Sequence, residues 1–229
     1  MKDKQDLRKI SSHGEAVEIS FPDLLKKCGE LYSQELGIDV ENEPFKWLLA
    51  SILFGARISS SIAKKTYKYY EAAGLTSPEK IATVDEKILI KIHGQGGYAR
   101  YDGITAAYVH GVAKKLLDEY DGQVKKLDEK SENPRDLELK LQEFRGIGPV
   151  TTKIFLRELR GIWRNAQPEP TSIEVVAAKN LGILKNDRDA LKNLENFWRK
   201  NAVEGFSFRN FEAALVRLGI ELRRKKSNQ

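Results

Sequence analysis

The sequence predicts an all-α protein, and three observations carry that prediction. Apolar residues recur at three- and four-residue spacing along nearly the whole chain, and the breaks between these runs hold helix-capping and helix-ending residues. No run alternates for long enough, with hairpin turns at its ends, to build a sheet protein. Nor does any unit recur at fixed period, which excludes a solenoid.

The first twenty residues are polar except for an alternation at Val17, Ile19 and Phe21 that reads as a short extended arm. Pro22 and Asp23 open a helix carrying Leu24, Leu25, Cys28, Leu31 and Tyr32, which Gly37 ends. A second runs from Asn42, its cap, to Ala56, with Pro44 in the first turn and Trp47, Leu48, Ile52 and Leu53 inward. Ser59 to Ala73 follows, apolar at Ile62 and basic at Lys64, Lys65 and Lys68 on the other side. Helix starts at Ser77-Pro78 and at Thr83 to Asp85 give two short helices reaching Ile92. His93 to Gly97 reads as a glycine-rich loop, and Tyr98 and Tyr101 head a long helix that Asp121-Gly122 breaks after Tyr120. Lys125 to Asn133 is a charged linker.

Phe144-Arg145-Gly146-Ile147-Gly148-Pro149-Val150-Thr151-Thr152 is the sharpest local signal: helix, two-glycine hairpin, helix. Leu137, Leu141 and Phe144 set the helical spacing upstream. Gly146 stops that helix, Gly148 frees the backbone for a turn that a side chain would obstruct, and Pro149 opens the next helix at no hydrogen-bonding cost. At about 100° per residue the second helix turns Thr151, Thr152, Phe155, Leu156, Leu159, Ile162 and Trp163 inward. Lys153, Arg157, Arg160 and Arg164 then fall in one cationic stripe. Backbone N–H groups bared at a helix N-terminus seat phosphate, and cations beside them add counter-ion release. The alternative is an antiparallel helix pair with a solvated charged face. Beyond two prolines, Ser172 caps a helix to Asn180, Asn186 and Asp187 start another to Asn201, and Phe208 to Lys226 is the last, ending in a basic cluster.

At 229 residues the chain is long enough for one sizeable core or two smaller ones. With 41% apolar and 31% charged residues it belongs with globular rather than disordered proteins. A single cysteine, Cys28, excludes an intrachain disulfide and a thiolate cluster, and His13, His93 and His110 lack metal-ligand spacing, so neither metal nor other cofactor is expected. No run is long enough to span a bilayer, and Met1 to Ser12 lacks a signal-peptide core, so no membrane association and a cytoplasmic location are expected. The net charge of +6 favours a polyanionic partner.

The order of these parts resembles a known family. Trp47 to Leu53, Ser59 to Tyr70, Gly96-Gly97-Tyr98, Tyr120 to Val124 and Gly146-Ile147-Gly148 together are similar to the endonuclease III-like, helix-hairpin-helix superfamily of DNA glycosylases, best over residues 40 to 165. The resemblance implies two all-α lobes: a six-helix barrel over residues 41–161 that contains the hairpin, and a second lobe from residues 1–40 and 162–229. It implies double-stranded DNA as partner, with no obligate protein partner, lying across the groove between the lobes. The hairpin, at Arg145, Gly146, Ile147, Gly148 and Val150 with Lys153 and Arg157, would grip the backbone while a damaged base is turned out of the stack. Arg57, Gln95 and Tyr98 match the family segments that fill the vacated space.

The departures from the family matter too. Strand-cutting members carry a lysine two residues after the second hairpin glycine, where this chain has Val150, so lyase activity is not expected; Lys153, a turn away, fits a phosphate contact better. The family's aspartate, which steadies the sugar cation as the base leaves, would fall near Thr171, yet no aspartate occurs between Gly161 and Asn186. Glu174 is the preferred substitute, because a helix holds it, and Glu169 the other; equally, Glu174 can be a glutamate suited to a helix N-terminus. The iron-sulfur cysteines of many relatives are absent. Two functions follow: a monofunctional N-glycosylase of base-excision repair, first for alkylated purines whose cationic base leaves with little acid assistance, or a non-catalytic protein that recognises damaged or distorted duplex.

Overall fold

The computed structural model describes residues 6–10, 16–56, 58–98 and 102–227, and it is helical apart from one small ladder. The chain divides into two compact units, one built from both ends of the chain (Met1–Glu35 with Glu169–Gln229) and one continuous (Leu36–Pro168).

In the unit made of the chain ends, β1 (Asp6–Ile10) pairs antiparallel with β2 (Ala16–Ser20), so the expected arm is one strand of a two-stranded ladder. The arm stops short of Phe21, where α1 (Phe21–Cys28) starts with the Ser20 hydroxyl accepting from the Asp23 N–H. Gly29 ends α1, and α2 (Tyr32–Leu36) is separate, where the sequence suggested one continuous helix. A β-carbon at Gly29 would lie 2.5 Å from the Leu25 carbonyl oxygen, so the chain turns there on a residue without one. Three later helices complete the unit: α11 (Ser172–Asn180), α12 (Ala190–Asn201) and α13 (Phe208–Ser227). Their core is aromatic. Phe21 meets Phe197 and Phe211 edge-on at 5.1 and 5.2 Å, and Trp198 stacks on Phe211 at 6.3 Å, arrangements that add about 0.5–1.5 kcal/mol per pair beyond burial. Gly219 lets α13 close on α11, since a β-carbon there would sit 2.3 Å from the Ile173 carbonyl.

The continuous unit holds α3 (Pro44–Gly55), α4 (Ser60–Ala72), α5 (Pro78–Thr83), α6 (Glu86–Gly96), α7 (Asp102–Tyr120), α8 (Lys125–Glu129), α9 (Pro134–Gln142) and α10 (Pro149–Leu159). At the expected helix starts, Ser59, Ser77 and Asp85 each accept from a first-turn N–H, and so does Asn133, which the sequence reading left in a linker. Asn42 does not cap α3; its amide donates to the Asp39 carboxylate at 2.7 Å, and Glu43 stands at the cap position. The segment read as a linker contains α8. The central helix α3 is buried from Trp47 to Leu53 and is fastened to α10 by the Trp47 indole N–H, 3.0 Å from the Phe155 carbonyl.

Candidate nucleic-acid interface

The hairpin between α9 and α10 is stiff because its apolar residues point inward. Phe144 and Ile147 are 1% and 3% exposed, and the Ile147 N–H donates to the Phe144 carbonyl at 2.9 Å. The Ile147 side chain is therefore closed to a partner, and its N–H is already used within the turn. Gly146 has φ +95°, in the left-handed region that glycine adopts without strain. A β-carbon on Gly146 would also lie 2.5 Å from the Tyr108 ring. Gly148 differs: nothing lies within 4 Å of where its β-carbon would be. The residue whose side chain would obstruct the turn is thus Gly146, and the backbone at Gly148 faces open space.

At the start of α10, the Gly148 carbonyl accepts from both the N–H and the hydroxyl of Thr152 at 3.0 Å, and no side chain caps the helix. First-turn amides have no partner within their own helix, so this uncapped end presents donors and the positive pole of the helix dipole. Val150 stands there 59% exposed, where strand-cutting glycosylases are expected to have lysine. Arg145 is exposed, its guanidinium carbon 5.7 Å from the centre of the Tyr108 ring.

The cationic stripe does not form. Lys153 is half-buried and Arg157 is 4% exposed, so Arg157 is corrected from a surface contact to an interior residue. The helix ends at Leu159, which removes the other two from its register. Arg160 donates to the Pro168 carbonyl at 2.6 Å and Arg164 to the Ser131 carbonyl at 2.7 Å. Beside them the Asp128 carboxylate accepts from the backbone N–H groups of Arg164 and Asn165 at 3.1 and 2.9 Å, and the Asn165 amide donates to the carbonyls of Asp128 and Ser131. These side chains tie the segment after α10 to α8.

Of the three residues expected to enter vacated duplex space, Arg57 lies outside the described residues. Gln95 is exposed in the last turn of α6. Tyr98 is corrected: it is fully buried, its hydroxyl 3.0 Å from that of Thr105 and its ring 5.0 Å from His93. Nor is His93 to Gly96 a loop. It is the end of α6, held because the His93 ring bridges the Tyr70 hydroxyl (2.8 Å) and the Asp102 carbonyl (3.0 Å), and because Gly96 allows close contact with Thr66. The Asp102 carbonyl can only accept, so Nδ1 donates to it and Nε2 is left to accept from Tyr70. Burial holds the His93 pKa below its ordinary value, with the Asp102 carbonyl opposing.

Thr171 occupies the cap position of α11 and Glu174 the third position inside it, and together they form a capping box. One Glu174 carboxylate oxygen accepts from the Thr171 N–H at 2.6 Å and from its hydroxyl at 2.5 Å, and the residue is 2% exposed. Glu169 is exposed and lines a cavity of about 330 Å³ with Pro170, Ser172, Val176 and Lys179. Among the described residues, no group of three or more His, Cys, Asp or Glu side chains is placed to hold a metal ion, and no helix is long and apolar enough to cross a membrane.

Sequence reasoning missed two residues here. Tyr108 gave no signal because its importance lies in meeting a turn 38 positions away in the chain. Asp128 looked like one charge in a polar run, although a carboxylate amid apolar Val124 and Leu127 is the kind of residue that fastens a loop.

No family model matches this sequence, and no curated protein matches it. Solved structures do. The H. pylori 3-methyladenine DNA glycosylase MagIII, solved bound to 1,N6-ethenoadenine, matches with a TM-score of 0.55 at 15% identity over 89% of this chain and 98% of that one. The Clostridium acetobutylicum 8-oxoguanine glycosylase/lyase, solved with double-stranded DNA, matches with a TM-score of 0.46 at 16% identity over 91% and 71%. The fold is thus that of a helical DNA glycosylase, as the order of motifs in the sequence leads one to expect.

Proposed function

We propose that this chain is a DNA N-glycosylase of the endonuclease III-like superfamily: it binds duplex DNA through the hairpin from Arg145 to Val150, turns a damaged base out and hydrolyses its N-glycosidic bond. The observation that carries this reading is the uncapped start of α10, with the open backbone at Gly148, on a fold shared with a 3-methyladenine glycosylase. The exposed Val150 in place of a lysine favours hydrolysis by water over strand cutting.

In such a reaction the bond's electron pair leaves with the base, the sugar becomes cationic, and water adds to its anomeric carbon, giving up a proton to a carboxylate or to solvent. A carboxylate near the sugar lowers that barrier. Of the two on offer, Glu169 is the more accessible: it is exposed, while Glu174 is buried with an oxygen committed to Thr171. An alkylated purine that is already cationic departs as a neutral molecule and asks least of such a sparse site, so it is the first substrate.

The test is base release from a panel of lesion-bearing duplexes by wild type, Glu169→Gln and Glu174→Gln. We expect Glu169→Gln to lower the single-turnover rate about 10²-fold with thermal stability unchanged. Glu174→Gln should lower stability and leave the rate of the folded fraction within about threefold. A second reading, recognition of distorted duplex without chemistry, is favoured by Thr171 standing where the family has aspartate and by the capping role of Glu174. Tight lesion binding with no base released from any duplex would establish it instead.

A further inference from the structure

We propose that Tyr108 is the positioning residue of the hairpin: it braces the turn at Gly146 and holds the Arg145 guanidinium where a backbone phosphate meets it. This rests on the nucleic-acid reading of the hairpin. The geometry is specific. A β-carbon on Gly146 would lie 2.5 Å from Cγ and Cδ2 of Tyr108 and 2.6 Å from its Cβ, so the turn's backbone lies directly on the root of that side chain. The preceding residue, Arg145, sets its guanidinium carbon 5.7 Å from the centre of the same ring. One side chain of α7 therefore contacts two consecutive residues of the turn.

A guanidinium 5.7 Å from the centre of an aromatic ring lies within cation–π range, and the attraction leaves N–H groups to make hydrogen bonds. Those groups fit two phosphate oxygens at once. An exposed arginine otherwise samples many rotamers and must lose that freedom on binding; one held beside a ring has lost part of it beforehand. Lysine retains the charge but has no planar group, so Arg145 and Tyr108 should act as a pair.

The experiment measures affinity of the full chain for a short undamaged duplex over a series of salt concentrations. The variants are Tyr108→Phe, Tyr108→Leu, Arg145→Ala and the double variant Tyr108→Leu/Arg145→Ala. Phenylalanine keeps the ring and should bind within about twofold of wild type. Leucine keeps the apolar bulk without the ring and should weaken binding about three- to tenfold. Arg145→Ala should make the salt slope shallower by about 1, Tyr108→Leu should move it the same way, and the double variant should bind no more weakly than Arg145→Ala. Wild-type affinity and slope in Tyr108→Leu, or losses that multiply in the double variant, overturn the role of Tyr108 while the hairpin reading stands. Failure of wild type to bind duplex at low salt overturns the hairpin reading and this proposal with it.

Discussion

Two glycines two positions apart in one turn serve different ends. Gly146 combines φ +95° with the Tyr108 ring at 2.5 Å from a would-be β-carbon, so Gly146→Ala incurs both backbone strain and overpacking, about 2–4 kcal/mol together in urea unfolding. Gly148 has an extended φ of −97° and open surroundings, so Gly148→Ala should stay within about 0.5 kcal/mol of wild type in stability. If the backbone there meets a phosphate, the same alanine weakens duplex binding, and a stable variant with unchanged affinity would argue against that contact. His93 offers a test by pH. Its folded pKa lies below the ordinary 6.5, so above that pH both folded and unfolded chains hold it neutral. Below 6.5 the unfolded chain takes up a proton that the folded one resists, and stability falls with pH until the folded pKa is passed. The melting temperature of wild type should therefore drop more steeply from pH 7 to pH 5 than that of His93→Gln.

At the scale of the element, the segment that leaves α10 is held by side chains rather than by regular structure. Asp128 accepts two backbone N–H groups from it, so Asp128→Ala strands both donors and should cost about 2–4 kcal/mol. Asp128→Asn keeps an acceptor oxygen and should cost less; hydrogen exchange at Arg164 and Asn165 reports the difference directly. Elements whose signals are local were legible in the sequence: the helix starts at Ser59, Ser77 and Asp85, and the hairpin itself, need only neighbours within a few positions. Elements settled by distant residues were not. His93 to Gly96 reads as loop because nothing local shows that Tyr70 and Thr66 of α4 hold it helical. The cationic stripe is a projection along a helix that Gly161, at φ +77°, does not continue, and Arg157 sits inside the molecule. The candidate carboxylates suffered likewise, since capping competes with catalysis for a glutamate near a helix start, and only the hydrogen bonds of Glu174 reveal which use it has.

For the whole molecule, the division into one continuous unit and one assembled from both chain ends has a consequence in time. A nascent chain leaving the ribosome holds every residue of the continuous unit once Pro168 is out, and its helices can close on one another while translation proceeds. The other unit must wait: Phe21 remains without its partners Phe197 and Phe211 until α12 and the first turn of α13 have been made. Pulse-labelled hydrogen exchange during refolding should show amides between Leu36 and Pro168 protected first, unless the units form in one step. Until α13 arrives, Phe21, Leu24 and Leu25 lack the apolar partners that later cover them, and a molecular chaperone can meet that face while synthesis proceeds.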